Sequence, residues 1–158
     1  MLKQSLFALV LASSSLVACS HSSSQMRKFT PPSMTAIRLD EAIRSQCDTT
    51  SSVSPVFDFS SSEVSDETKV TLDSVATCFK SGALKGQNLR LVGFTDPRGS
   101  RVDNYELGLE RARAVADYLM SRGMLRSQLI ASSRGEEGAS PDKERWSADR
   151  IVDMSIAN

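Results

Sequence analysis

Leu91-Val92-Gly93-Phe94-Thr95-Asp96-Pro97-Arg98-Gly99 reads as a strand running into a tight turn, and the rest of the chain can be placed around it. The strand proper, Leu89 to Phe94, is apolar enough to be expected buried on both faces. Pro97 and Gly99 supply the turn chemistry. Beyond the loop of residues 95–103, Asn104 to Arg122 carries apolar side chains at helical spacing. Leu107, Ala114, Val115 and Leu119 are expected to face the core, with Gly123 as the stop. Upstream, Ser65 is a helix cap, and Asp66 and Glu67 favour the first turn. Thr68, Leu72, Val75, Ala76 and Phe79 make that helix's buried stripe, and Gly82 ends it. Val56 to Phe59 is a short strand candidate; Leu129 to Ser132 and Ile151 to Ile156 are two more. Between the last two lies a polar stretch, 134–148, with one helical turn expected around Trp146. Strands alternating with helices over short connections predict an α/β fold with helices packed on a sheet.

The turn follows the carboxyl end of a strand, which is where open α/β sheets bind ligands. Asp96 sits in it, and Arg111 lies two helical turns beyond Asn104 on the same face of the helix. Asn104, Leu107 or Gly108, and Arg111 therefore form one stripe whose first end is beside the loop. A carboxylate and a guanidinium at one pocket suit a zwitterionic ligand: the Asp takes an ammonium, and the Arg grips a carboxylate with its planar fork. The bland alternatives are that Asp96 caps a turn and that Arg111 belongs to a solvated helix face.

Several further stretches carry a resemblance: Phe57-Asp58-Phe59; the strand–turn quoted above; Asn104-x-x-Leu107-Gly108-x-x-Arg111-Ala112-x-x-Val115; Ser133-Arg134-Gly135-Glu136; and Asp149-Arg150-Ile151-Val152-Asp153-Met154. Together, residues 56 to 156 resemble the OmpA-like C-terminal domain family of outer-membrane proteins and flagellar stators, and the whole chain is similar to its Pal-type lipoproteins. The resemblance implies a βαβαββ-type two-layer sandwich, with helices packed on a mixed sheet, that binds peptidoglycan without covalent chemistry. It implies that Asp96 and Arg111 contact the diaminopimelate of the stem peptide. Asp58, Pro97, Arg98, Gly99, Asn104, Leu107 and Arg150 are expected to form the rim. This chain departs from the family pattern at Asp103, where a Tyr is usual, at Asp149 and Ile151 of the usual Asn-Arg-Arg segment, and in lacking a Pro after Glu136.

Composition narrows the alternatives. The 158 residues hold 19 Lys and Arg against 19 Asp and Glu, so the formal net charge is zero. That argues against nucleic acid as a partner. The one histidine, His21, argues against a His-centred triad or a multi-His metal site, and the three cysteines form no CxxC pair. No metal or cofactor is expected. Lys3 followed by the apolar run Leu6 to Leu16 reads as a leader too short to span a bilayer. It ends in Leu16-Val17-Ala18-Cys19, which resembles the bacterial lipobox. Residues 1–18 are thus expected to be a lipoprotein signal peptide, with Cys19 acylated and Ser20 after it favouring the outer membrane. Residues 19–47 are expected to be a tether ending in a short amphipathic helix, on which Ala36, Leu39, Ile43 and Cys47 share a face. The domain proper is placed at 48–158. With Cys19 lipidated, Cys47 and Cys78 remain as an even pair in an oxidising compartment, either bridged or two buried thiols.

The leading reading is a non-enzymatic tether, lipid-anchored in the outer membrane with its domain in the periplasm. An interaction hub for Tol-type envelope proteins is the alternative. A peptidoglycan hydrolase using Asp96 with Asp58 or Glu110 as a carboxylate pair is a third.

Overall fold

The computed structural model describes residues 37–47, 49 and 57–157. Cys19, the leader and most of the expected tether lie outside the described residues, as does Val56. The elements run β1 (Ile37–Leu39), α1 (Glu41–Gln46), α2 (Asp66–Lys80), β2 (Asn88–Phe94), α3 (Arg101–Ser121), β3 (Leu129–Gly135), α4 (Trp146–Asp149) and β4 (Val152–Ala157). The four strands form one sheet in the order β1-β4-β2-β3. β2 and β3 are parallel, joined by α3 as the crossover; β1 and β4 are parallel; β2 and β4 are antiparallel. Mixed sheet and packed helices match the expected fold class. Among the described residues no helix is long and apolar enough to cross a membrane.

The sheet has one dry face. Leu89, Leu91 and Gly93 of β2 are buried and sit opposite Ile156, Met154 and Val152 of β4, and opposite Leu129, Ala131 and Ser133 of β3. The alternate residues face outward: Arg90 is exposed, and its β3 neighbour Ile130 is 46% exposed. The expectation of burial on both faces of β2 therefore fails. The helices cover one side only, and strict alternation is what an antiparallel neighbour permits.

α2 starts where Ser65 places it, with the Ser65 hydroxyl accepting from the Thr68 N–H at 3.2 Å. All five expected stripe residues are buried, together with Cys78. α3 begins three residues earlier than expected, because the Ser100 hydroxyl accepts from the Asp103 N–H. Its buried face is Asn104, Gly108, Arg111, Ala112, Val115, Ala116 and Leu119, whereas Leu107 and Ala114 are only half-buried. Small residues take the inner positions because the helix lies almost on the backbone of β2. A Cβ on Gly93 would collide with the Gly108 carbonyl, so both glycines are required by the close approach. Gly123, at φ 93°, ends α3: its N–H bonds the Met120 carbonyl at 2.8 Å, and Met124 N–H bonds that of Leu119 at 3.1 Å.

Two expectations about the N-terminal part are corrected. Phe57 and Asp58 are not a strand, and Phe59 and Ser60 form a turn. The edge strand is instead Ile37–Leu39, inside the segment expected to be one helix. Asp40 then caps a single short helix, its carboxylate accepting from the Ile43 N–H at 2.8 Å and, through the other oxygen, from Ile156 N–H at 3.2 Å. Ile43 and Cys47 join the hydrophobic core. The folded part therefore begins before residue 48. A disulfide joins Cys47 to Cys78 across a sequence separation of 31 and ties α1 to α2.

Candidate ligand-binding site

The carboxyl end of β2 is fixed by two backbone bonds: Phe94 N–H to the Ile151 carbonyl and Thr95 N–H to that of Gly135, both 2.9 Å. An irregularity in the β2–β3 register at Gly93 and Phe94 turns the chain out of the sheet there. Asp96 follows, only 3% exposed. Its Oδ1 accepts from Arg98 Nε at 2.9 Å and from the Arg98 backbone N–H at 3.2 Å; its Oδ2 accepts from Arg98 Nη2 at 2.8 Å and Arg150 Nη1 at 3.3 Å. Burial works against the charge on Asp96. The hydrogen bonds from Arg98 and Arg150 outweigh it and hold the carboxyl below its usual range.

Arg111 is fully buried, the largest such side chain among the described residues. It is held by backbone rather than by acids. Nε donates to the Ser61 carbonyl at 2.8 Å, Nη1 to Phe94 at 2.8 Å and Nη2 to Asp58 at 3.0 Å. The guanidinium also lies 5.2 Å from the centre of the Phe57 ring. Desolvation, with the positive charge of Arg150 added, lowers its pKa to about 10, while Asp96 pulls the other way. It stays charged at neutral pH. A guanidinium has five N–H donors. Three go to carbonyls, leaving one on each terminal nitrogen.

Asp96, Arg98, Gly99, Asn104, Leu107 and Arg111 line a single cavity of about 420 Å³, so most of the expected site residues are brought together. Arg150 sits beneath, its Nε donating to the Phe57 carbonyl at 2.6 Å. Pro97 is exposed on the turn and stays out of the lining. Asp58 is exposed, and what it lends the site is its carbonyl, not its carboxylate. The lining also holds Phe59, Ser60, Thr95, Asp103 and Glu106, which the sequence does not assign to the site, and Glu110, which enters there only as a carboxylate partner of Asp96 in the hydrolase reading. Thr95 is within reach as the neighbour of Asp96, and Glu106 as the i,i+4 partner of Glu110. Phe59 and Ser60 are not, because Val56 to Phe59 reads as a strand.

Two polar atoms of residues that line this cavity are buried without a partner: Thr95 Oγ1 and Asn104 Nδ2. Asn104 is 4% exposed, so its amide N–H group waits for an acceptor that the protein does not provide. Arg111 lines the same cavity with one spare N–H on each terminal nitrogen. The lining also carries four carboxylates, Asp96, Asp103, Glu106 and Glu110, against the guanidiniums of Arg98 and Arg111, so the donors available to a ligand carboxylate are those of Asn104 and Arg111, while Asp96 offers a place for a cation.

The model of the OmpA family matches residues 56–151. Over 101 residues the chain is 36% identical to the peptidoglycan-associated lipoprotein of Pseudomonas aeruginosa, a match covering 62% of this chain and 58% of that one. Over 81 residues it is 33% identical to outer membrane protein A of Serratia odorifera, covering 51% and 33% respectively. The chain thus spans less than two thirds of the length of the curated relatives it matches. Among solved structures, the peptidoglycan-associated lipoprotein from Burkholderia pseudomallei superposes with a TM-score of 0.61 at 31% identity, over 65% of this chain and 88% of that one. The C-terminal domain of Helicobacter pylori MotB, at 22% identity and a TM-score of 0.57 over 65% and 81%, shares the fold. Family match, sheet topology and the shared strand–turn–helix agree: the chain belongs to the OmpA family.

Proposed function

We propose that this domain binds peptidoglycan non-covalently, recognising the free end of a diaminopimelate side chain in the cavity between Asp96 and Arg111. The observation that carries the reading is that Asn104, whose buried amide nitrogen has no partner, lines the same cavity as Arg111 and Asp96. Diaminopimelate ends in an ammonium and a carboxylate on one carbon. The carboxylate takes Asn104, Arg111 and the turn N–H groups; the ammonium takes Asp96. That relatives of this chain are peptidoglycan-associated lipoproteins supports the same class of ligand.

Anchoring follows from the leader. Acylated Cys19 would hold the chain on the outer membrane, with the domain in the periplasm reaching the wall. Two or three acyl chains suffice for stable anchoring, where one is marginal. In the hydrolytic reading Asp96, kept ionised by two guanidiniums, has no proton to donate as the general acid.

The test is a pull-down on purified sacculi of the diaminopimelate and lysine types side by side. Lysine-type wall lacks the second carboxylate, so the chain is expected to be retained on the first and washed from the second. Equal retention overturns the assignment of the cavity. For the anchor, Cys19→Ala should move the protein from the membrane fraction to the soluble periplasmic one; continued membrane partition overturns it.

A further inference from the structure

The proposed function asks an ammonium to reach Asp96, yet the acceptor positions of that carboxylate are already filled from within. A carboxylate offers about four lone-pair sites. Here they meet Arg98 Nε, the Arg98 backbone N–H, Arg98 Nη2 and Arg150 Nη1. One of these donors has to leave if a ligand's cation is to enter.

The two arginines are not equivalent. The Arg150 side chain is 13% exposed and is also tied to the Phe57 carbonyl at 2.6 Å, so moving it would strip two buried partners. The Arg98 side chain is 38% exposed, and its side-chain hydrogen bonds all go to Asp96. Its guanidinium lies 3.8 Å from the centre of the Phe59 ring, which is 58% exposed, and 5.1 Å from that of Trp146. Arg98 and Phe59 both line the cavity.

We propose that Arg98 is a resident counter-ion: its guanidinium keeps the ammonium's place on Asp96 and is exchanged for the ammonium of the wall peptide on binding. The inference rests on the reading of the cavity given above. An empty buried carboxylate is costly. Exchange avoids that state, because one cation arrives as the other departs and Arg150 stays throughout. Of the two partners only Arg98 reaches solvent, at 38% exposed against 3% for Asp96, so the departing guanidinium regains water as it leaves. Arg98 thereby scales the apparent affinity down to the fraction of molecules in which the carboxylate is unblocked.

The experiment is calorimetric titration of the full-length chain, wild type, Arg98→Ala and Arg98→Lys, with the tripeptide L-alanyl-γ-D-glutamyl-meso-diaminopimelate. Arg98→Ala is expected to bind about three- to tenfold more tightly than wild type, with Arg98→Lys between them. If wild type binds and Arg98→Ala binds equally or more weakly, the exchange is overturned while the cavity assignment stands. If wild type does not bind the tripeptide, both fall. A measurement on wild type alone guards against a folding defect in the alanine variant. The Arg98 Nε–H resonance should be protected in the free protein, and should shift and exchange with solvent faster at saturation. An unchanged resonance at saturation overturns the proposal.

Discussion

Two segments precede the first long helix, and they are held down by different chemistry. Residues 57–61 have no regular structure of their own. Phe57 is their one anchor in the core, and the rest is pinned by charged side chains reaching for backbone: Arg111 to the carbonyls of Asp58 and Ser61, and Arg150 to that of Phe57. Residues 37–47 are pinned by three residues of strand pairing, by Ile43 in the core and by the Cys47–Cys78 bridge. In the first segment the residue that organises the fold is also the one assigned to the ligand. In the second, nothing that holds the fold touches the cavity. Stability and binding should therefore fail together at Arg111 and separately at the disulfide.

Arg111→Ala is the largest expected break. It strands three part-buried carbonyls and opens a hole where a large, fully buried side chain stood. A loss of about 3–5 kcal/mol is expected in chemical denaturation, with wall binding abolished. Arg111→Lys should recover little, because an ammonium cannot serve three carbonyls spread across a planar fork. A melting curve like that of wild type would show that the ligand residue does not organise the fold. The expectation, natural from sequence, that this arginine serves only the ligand is one the geometry already opposes.

Next comes the covalent staple. Replacing both Cys47 and Cys78 by Ser should cost roughly 3–4 kcal/mol for a loop of this length. Reductant should bring wild type down to the variant. Retention on sacculi at temperatures where the variant remains folded should be unchanged. Loss of binding with the fold intact would mean that the two segments are coupled after all.

A smaller effect is expected at Asp96. Its pKa is lowered in the folded state, so its stabilisation is present above the unfolded carboxyl pKa near 4 and is lost as pH falls through the folded value. Asp96→Asn should cost about 1–3 kcal/mol at neutral pH, and the gap to wild type should close in acid. Asp153 has the opposite sign: burial raises its pKa against the pull of Arg38 and Arg134, so protonation there favours the folded state. Comparing wild type with Asp96→Asn across the acid range isolates the Asp96 contribution from it. A gap that does not change with pH would mean that the carboxylate's charge is not what holds the turn.

Smallest is the helix both segments lead into. Ser65→Ala removes the cap of α2 and should cost about 1 kcal/mol with binding untouched. A larger loss, or a loss of binding, would tie the start of α2 to residues 57–61.

Much of the fold could be read in advance because its signals are local. The Ser65 cap, the spacing of Leu72, Val75, Ala76 and Phe79, and the glycine at 123 each act within one or two turns of chain, and each sits where its chemistry placed it. The failures came where a short apolar run was free to choose. Phe57-Asp58-Phe59 alternates like a strand, but its backbone groups are claimed by Arg111 and Arg150, which lie 50 or more residues away in sequence. Ala36 to Cys47 steps like a helix, but β4 offers an open edge to Ile37–Leu39 first.

By itself the sequence determined the helices, the main strands, the family and the two charged residues of the candidate site, because propensity, capping and motif spacing are written within short windows. Only the tertiary structure decided how those charges are spent. Arg111 is turned to three carbonyls and Asp96 is closed by two guanidiniums because burial forbids a bare charge, and the nearest partners in space are not neighbours in the chain.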